Sequence, residues 1–466
     1  MKEPKPRRRR ALRALAWTVG ALVALPAVLW LAWVAINWRD VAPSADAIAM
    51  QALIDARPVV ADADNAYLDM LGFDAPLDAD AHAVGLQRRE MIRKRAASAS
   101  HDGFEFQNRG VEPALDSAWT AVVKACGRTG AGCRAALVTQ RDLAPLDDAN
   151  LRALERYGAL IAHQRWSEEI QLDTQMPMPA FQRVLNAQRL SLISLWVEAE
   201  RRDPSSTIDA LDALDADLRF WRDVLVSTDL LLTRMIATAA VRRNIEWSAL
   251  ILPRVHAAHA TDAMPASLVT PMTRDERSLR RTLAGEWQFS QRMVRGYLEQ
   301  NRADSRDPRT TMVTRFSHWL GKPLFQPQDT ANRSASRMDR LASLSEAPYP
   351  RINAHVRAAR ATRESGTPWR DFLYNPTGRI LDHIAEPAYI GYAFRVPDIE
   401  GVRRAVVASI ELKSRGADPA DMSEALASGA WRNPYDDAPF EFDAKDSCVV
   451  FDGLEQFDSQ RTCVPY

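Results

Sequence analysis

The sequence lacks the short motifs that mark several enzyme classes. It contains no Gly-x-Ser-x-Gly, no Ser-x-x-Lys, no His-Glu-x-x-His, no Gly-x-x-x-x-Gly-Lys-Ser and no Gly-x-Gly-x-x-Gly. These absences count against an α/β-hydrolase, a penicillin-binding type of acylation site, a zincin, a P-loop enzyme and a dinucleotide-binding fold. We therefore expect no cofactor and favour a protein that is not an enzyme.

The chain also lacks a net charge, since 60 basic side chains balance 60 acidic ones among 466 residues. A neutral total gives no reason to expect a nucleic-acid partner. The balance hides an asymmetry, however. The residues before position 39 carry seven basic side chains and one acidic one, whereas the remainder carries 53 basic and 59 acidic ones.

One long apolar run is present, over residues 14–36, without a single charged side chain. As a helix its 23 residues would extend about 35 Å, enough to cross a hydrocarbon core of about 30 Å. A cleaved signal peptide is the alternative, but its apolar region is typically shorter and ends in a small-x-small site. This run ends Val34-Ala-Ile-Asn-Trp38 instead, which favours an uncleaved signal anchor.

The charges beside this run predict its orientation. Seven basic residues precede it, and Arg39 alone follows it closely. The positive-inside rule then makes residues 1–13 a cytoplasmic tail and 14–36 a transmembrane anchor in a bacterial inner membrane. We expect a periplasmic helical domain over 41–397 and a smaller module over 398–466. Membrane lipid is the expected partner of the span, and other envelope proteins are further candidate partners.

Four cysteines follow the predicted span, in two local pairs. An even count in an exported chain indicates disulfides, and four cysteines allow three connectivities. We favour the local pairing Cys126–Cys133 with Cys448–Cys463, because each pair brackets a short loop. A zinc site is disfavoured, because neither pair has Cys-x-x-Cys spacing or a histidine nearby.

The apolar spacing after residue 41 predicts a mainly α fold, an irregular helical bundle. One stripe steps by three and four residues along a single helix: Ile208, Leu211, Leu214, Leu218, Trp221 and Leu225. Residues 58–82 are expected to be irregular and 301–348 to form a long surface excursion. Helices are expected over residues 83–99, 180–202, 229–251, 273–300, 350–364 and 398–414.

The chain changes character near its end. Phe440 and Phe442 alternate before a turn-prone Asp-Ala-Lys-Asp and the β-branched Val449-Val450, which predicts a β-hairpin. A helix followed by Asn433-Pro434-Tyr435 and an aromatic hairpin resembles the C-terminal module of type II secretion pseudopilins, over residues 398–466. The resemblance implies a hairpin cap and an envelope location, but the usual glycine after the aromatic residue is replaced here by Asp436.

Paired carboxylates beside tryptophans are the strongest candidates for acid–base chemistry. Glu168 and Glu169 follow Trp166, and Glu286 precedes Trp287. Two carboxylates and an aromatic ring are typical of glycan-cleaving sites. The boundary of an amphipathic helix gives the same pattern, so both interpretations remain open.

Candidate metal ligands are fewer. His256 and His259 stand three residues apart after Pro253, with Asp262 following, in a segment that resembles a solvated loop. An acidic run lacks the glycine and terminal glutamate of a calcium loop, so we interpret it as turn-capping residues on a solvated loop. This run comprises Asp62, Asp64, Asp69, Asp74, Asp78 and Asp80.

These patterns favour a single-pass envelope protein whose helical domain is a scaffold or a partner-binding module. A membrane-anchored periplasmic hydrolase that acts on cell-wall glycan or lipid is the alternative. A helical groove for an apolar ligand, within residues 180–300, is a third hypothesis.

Overall fold

The computed structural model describes residues 7–97, 105–140, 143–168, 177–201, 206–259, 263–307, 309–362, 372–454 and 461–466. The predicted mainly helical fold, with one N-terminal apolar helix and a small C-terminal β-structure, is confirmed. Within those ranges the helices are α1 Arg7–Ile36, α2 Ala45–Asp55, α3 Ala66–Gly72, α4 Ala81–Ala97, α5 Ser117–Ala125, α6 Ala131–Thr139, α7 Asp148–Ala162, α8 Phe181–Arg201, α9 Ser206–Ser227, α10 Leu231–His259, α11 Ala266–Val269, α12 Arg274–Arg277, α13 Arg280–Arg306, α14 Met312–Gly321, α15 Pro327–Ser345, α16 Tyr349–Thr362, α17 Pro376–Ser414 and α18 Met422–Ser428. The strands are β1 Glu441–Asp443, β2 Cys448–Phe451 and β3 Thr462–Pro465.

The chain divides into two compact units. The first unit comprises Met1–Ala49, Val294–Ser336 and Arg363–Pro387. The second unit comprises Met50–Met293, Arg337–Thr362 and Ala388–Tyr466.

Helix α1 belongs to the first unit. Among the described residues, its segment Leu15–Ile36 is the one stretch long and apolar enough to cross a membrane, and none of its most apolar window is buried. The end of the helix is held by hydrogen bonds. Trp33 Nε1 and the Asn37 amide both donate to the Leu373 carbonyl, and the Asn375 N–H donates to Asn37 Oδ1 at 2.7 Å. The apolar helix is thus tied directly to later parts of its own unit.

The core of the second unit is built on α8, α9 and α10, which pack against one another. Each contributes a fully buried tryptophan, namely Trp196, Trp221 and Trp247. Large aromatic side chains at helical spacing fill the space between such helices, so these tryptophans are core residues.

A buried polar network crosses the same helices. The Asp217 carboxylate accepts hydrogen bonds from the Tyr157 hydroxyl, the Gln188 amide at 3.0 Å and the Asn244 amide at 2.8 Å. Burial nevertheless raises the pKa of Asp217. Because a buried polar group is costly unless it is hydrogen-bonded, this network holds the helices in register.

The C-terminal sheet has the strand order β1-β2-β3, and both pairings are antiparallel. The predicted hairpin of β1 and β2 is present, and β3 extends it. The sheet packs on α17, where Ser409 Oγ donates to the Pro465 carbonyl at 2.7 Å. A Cβ at Gly401 would lie 2.0 Å from the Phe451 ring, so glycine is needed for this close approach. The resemblance to pseudopilins stays a prediction.

Two predicted helix boundaries are wrong. The helix expected to stop before Pro253 continues to His259, with the proline inside it. Proline removes one backbone hydrogen bond, but Ile251, Leu252 and Val255 around it are buried and stabilise the continuation. The helix expected over 398–414 begins earlier, at Pro376.

The two segments expected to be irregular contain helices. Residues 301–348 hold α14 and α15 rather than one long surface excursion. Within 58–82, every residue of α3 is buried. Asp69 and Asp74 are 6% and 4% exposed, so the acidic run is not wholly solvated.

Candidate functional site

The carboxylates of Glu168 and Glu286 lie together at the start of α10. Glu168 Oε2 accepts hydrogen bonds from the N–H groups of Asp229 and Leu230, at 2.7 and 2.9 Å. Glu286 Oε1 accepts from the N–H of Leu231 at 2.9 Å. The first N–H groups of a helix have no partner within the helix and favour negative charge. Both glutamates therefore satisfy the backbone at the start of this helix.

Asp229 completes this group with two arginines. Its carboxylate is 1% exposed and lies 3.0 Å from Arg57 Nε and 2.8 Å from Arg281 Nε. Arg281 Nη2 also bonds the second oxygen at 3.1 Å, giving a two-point contact. We name Glu168, Asp229, Glu286, Arg57 and Arg281 the carboxylate cluster.

Helix α13 packs closely against the backbone of the loop that carries Asp229. A Cβ at Gly285 would lie 1.9 Å from the Asp229 carbonyl oxygen, so only glycine lets α13 approach this loop. Thr282 Oγ1, on the same helix, donates to the Thr228 carbonyl at 3.1 Å. Helix α13 thereby fixes the position of the chain that enters α10.

Burial shifts the pKa of three members of the carboxylate cluster. It raises the pKa of Glu168 to about 7 and also raises the pKa of Glu286, while it lowers the pKa of Arg57. A carboxyl group that titrates near neutral pH has the proton affinity of a general acid. In this structure, however, one oxygen of each glutamate is engaged by the main chain.

The tryptophans beside these glutamates are core residues. Trp166 is 2% exposed and packs edge-on against Tyr67 and Phe220, with ring centroids 5.5 and 6.4 Å apart. Trp287 is 7% exposed. Neither ring offers an open face on which a sugar could stack. Glu169, the third carboxylate candidate, lies outside the described residues.

A histidine-containing cluster that sequence spacing did not indicate lies elsewhere in the second unit. Asp69 Oδ2 is 2.6 Å from His82 Nδ1 and 3.0 Å from His163 Nε2. The two rings stack with centroids 5.5 Å apart. The three residues lie on α3, at the start of α4 and after α7, so no local motif brings them together.

These three side chains include the atom types that bind zinc. Zinc bonds of about 2.0–2.1 Å in a tetrahedral site would separate neighbouring ligand atoms by about 3.3 Å. The observed separations of Asp69 from His82 and His163 are shorter and match hydrogen bonds. The geometry therefore fits a carboxylate shared by two histidines better than a metal site.

The metal candidates that spacing did indicate are placed differently. His256 lies on α10 rather than on a solvated loop, and it is 8% exposed. Its Nε2 lies 2.8 Å from the carbonyl oxygen of Ala263, a contact in which this nitrogen donates. That nitrogen is therefore engaged by the main chain. Of His259, the structure describes only the backbone, as the last residue of the helix.

The cysteines of each predicted local pair lie at disulfide distance. The sulfur atoms are 2.06 Å apart in Cys126–Cys133 and 2.07 Å apart in Cys448–Cys463. One cysteine of each pair, Cys126 and Cys463, lines the same cavity of about 660 Å³ in the second unit. The first pair joins the end of α5 to α6, and the second joins β2 to β3.

Charged side chains form part of the walls of this cavity. They comprise Arg128, Arg242, Arg243, Arg461, Glu246, Asp398 and Asp452. Glu246 accepts hydrogen bonds from Arg242 Nε at 2.8 Å and from Thr129 Oγ1 at 2.7 Å. Burial lowers the pKa of Arg243 to about 10. The wall also holds the apolar Trp247 and Phe451, and its basic side chains outnumber the acidic ones by one. Arg242 and Arg461 are ion-paired with Glu246 and Asp452.

Comparison with protein-family models, with curated proteins and with solved structures finds no match to this chain. What the chain does has therefore to be inferred from its own residues.

Proposed function

We propose that the protein is a single-pass inner-membrane protein whose helical body lies in the periplasm and binds a partner of the cell envelope. Helix α1 carries the anchoring part of this proposal. Its apolar segment is unburied, and its last residues are hydrogen-bonded to Leu373 and Asn375 within the first unit. Such a connection keeps part of the body close to the point where the chain leaves the membrane.

The distribution of charge beside α1 and the positions of the cysteines support a periplasmic location of the helical body. The strongly basic residues before α1 favour a cytoplasmic N-terminus. All four cysteines follow the span and lie at disulfide distance, as suits an oxidising periplasm.

A binding role is supported by the contrast between the two candidate sites. In the carboxylate cluster, Glu168 and Glu286 stabilise the start of a helix, which argues for a structural role and against glycan hydrolysis. The cavity between the two disulfides has more basic than acidic wall residues. We propose that it receives carboxylate groups of a protein partner.

The topology is tested by a C-terminal alkaline phosphatase fusion, compared with a fusion to a reporter that works only in the cytoplasm. Activity of the phosphatase alone is expected. Activity of the cytoplasmic reporter alone would contradict the proposal.

The binding role is tested by photo-crosslinking in membranes from a residue placed at Arg128, in the cavity wall. A matched control places the same crosslinker at Val59, which is 94% exposed elsewhere in the second unit. We expect an adduct of one defined mass from position 128 and none from position 59. Equal adducts from both positions, or none from either, would count against a partner at the cavity.

A further inference from the structure

Helix α14 carries its apolar side chains on the outside. Since successive residues of a helix are rotated by 100°, these side chains fall within an arc of about 120° around the helix axis. The polar Thr314, Arg315 and His318 on the other side are partly buried. The exposed apolar residues and their exposed fractions are Met312 79%, Val313 79%, Phe316 60% and Trp319 58%. A helix on a water-facing surface has the reverse arrangement.

Contacts within the first unit place this apolar stripe beside the membrane span. The Trp319 ring lies against the Trp30 ring of α1, with centroids 5.3 Å apart, and Phe316 stacks on Trp319 at 5.9 Å. Trp30 lies six residues before Ile36, so the contact is about 9 Å along the helix axis from the end of the span. An amphipathic helix in a membrane interface buries its apolar face about 5–10 Å deep. The distance of the Trp30 contact from the end of the span lies within this range of depths.

We propose that α14 lies in the interfacial layer of the bilayer that α1 spans, with its apolar stripe inserted into lipid on the periplasmic side. This inference rests on the proposed anchoring by α1 and adds a second lipid contact to it. Exposed Arg309 and Lys322 flank the helix at its two ends, where they would meet lipid phosphates. Lipid is the indicated occupant because the stripe is continuous with the unburied apolar surface of the span.

The test uses the full chain in vesicles of phosphatidylethanolamine and phosphatidylglycerol, with a nitroxide label on Phe316→Cys. The native cysteines are all paired and do not take the label. Gly321→Cys is the matched control, since it lies on the other side of the same helix in open space. Oxygen should relax the label at 316 more than a water-soluble nickel complex does, and the order should reverse at 321.

Preferential relaxation by nickel at 316 would overturn the inference. Low access of both reagents there would overturn it too, because it would indicate cover by protein, including a second copy of the chain. A label at Leu25, within α1, separates this failure from failure of the anchor. Stronger relaxation by oxygen at position 25, together with stronger relaxation by nickel at position 316, would refute only the interfacial helix. Stronger relaxation by nickel at position 25 would refute the anchor.

Discussion

The buried carboxyl group of Glu168 should make the free energy of unfolding depend on pH. Burial raises its pKa from an ordinary value of 4.5 to about 7 in the folded chain. Over the interval between these values the folded chain keeps a proton that the unfolded chain has lost. The stability due to this group is therefore full below pH 4.5 and is lost as the pH rises through 7.

The expected size of the effect follows from linkage. As the pH rises from 5 to 8, the deprotonation of Glu168 should lower the free energy of unfolding by about 2.5 kcal/mol. In Glu168→Gln the side chain is neutral at both pH values, and its amide oxygen can still accept from the N–H groups of Asp229 and Leu230. The variant should therefore lose about 2.5 kcal/mol less stability than the wild type over this pH change.

The assay is urea unfolding of the full chain in detergent micelles, followed by tryptophan fluorescence at pH 5 and pH 8. Glu155→Gln is the control, because Glu155 is exposed on α7, and it should follow the wild type. An equal pH dependence in Glu168→Gln and wild type would refute the assignment of a neutral buried carboxyl group.

Two further perturbations test the packing. Gly285→Ala should lower the free energy of unfolding by about 2 kcal/mol, because its Cβ would overlap the Asp229 carbonyl. In the same helix the Cβ of Gly296→Ala would meet open space, so this variant should raise the free energy of unfolding by about 0.5–1 kcal/mol. Equal thermal shifts for the two variants would contradict this account. Cys448→Ser should free the Cys463 thiol and cost the C-terminal sheet about 3 kcal/mol. Thiol titration and limited proteolysis measure both effects, and unchanged protease resistance would count against this role of the pairing.

The long helices of the second unit could be predicted because large apolar side chains mark their buried faces. The stripe that ends at Leu225 predicted a helix, and α9 runs from Ser206 to Ser227. Helix α15 could not be found in this way. Its buried apolar positions combine the small Ala331, Ala335 and Ala342 with only two large side chains, Met338 and Leu341. The arginines and serines between them keep the local hydropathy low.

The candidate site was predicted only in part. The neighbouring tryptophans singled out Glu168 and Glu286, but their common position at the start of α10 depends on contacts between distant parts of the chain. Likewise, Asp69 and His163 meet across 94 positions of sequence. Local spacing carries no information about such contacts, so it identified residue types without their roles.

The central claim is that α1 spans the membrane and that the helical body lies on the far side from the N-terminus. Two single-cysteine substitutions in the full chain test it most directly, Val111→Cys in the body, where Val111 is 88% exposed, and Lys5→Cys in the tail. We expect a membrane-impermeant maleimide to label position 111 in intact spheroplasts, and position 5 only after lysis. Labelling of position 5 in intact spheroplasts, with position 111 protected until lysis, would contradict the account.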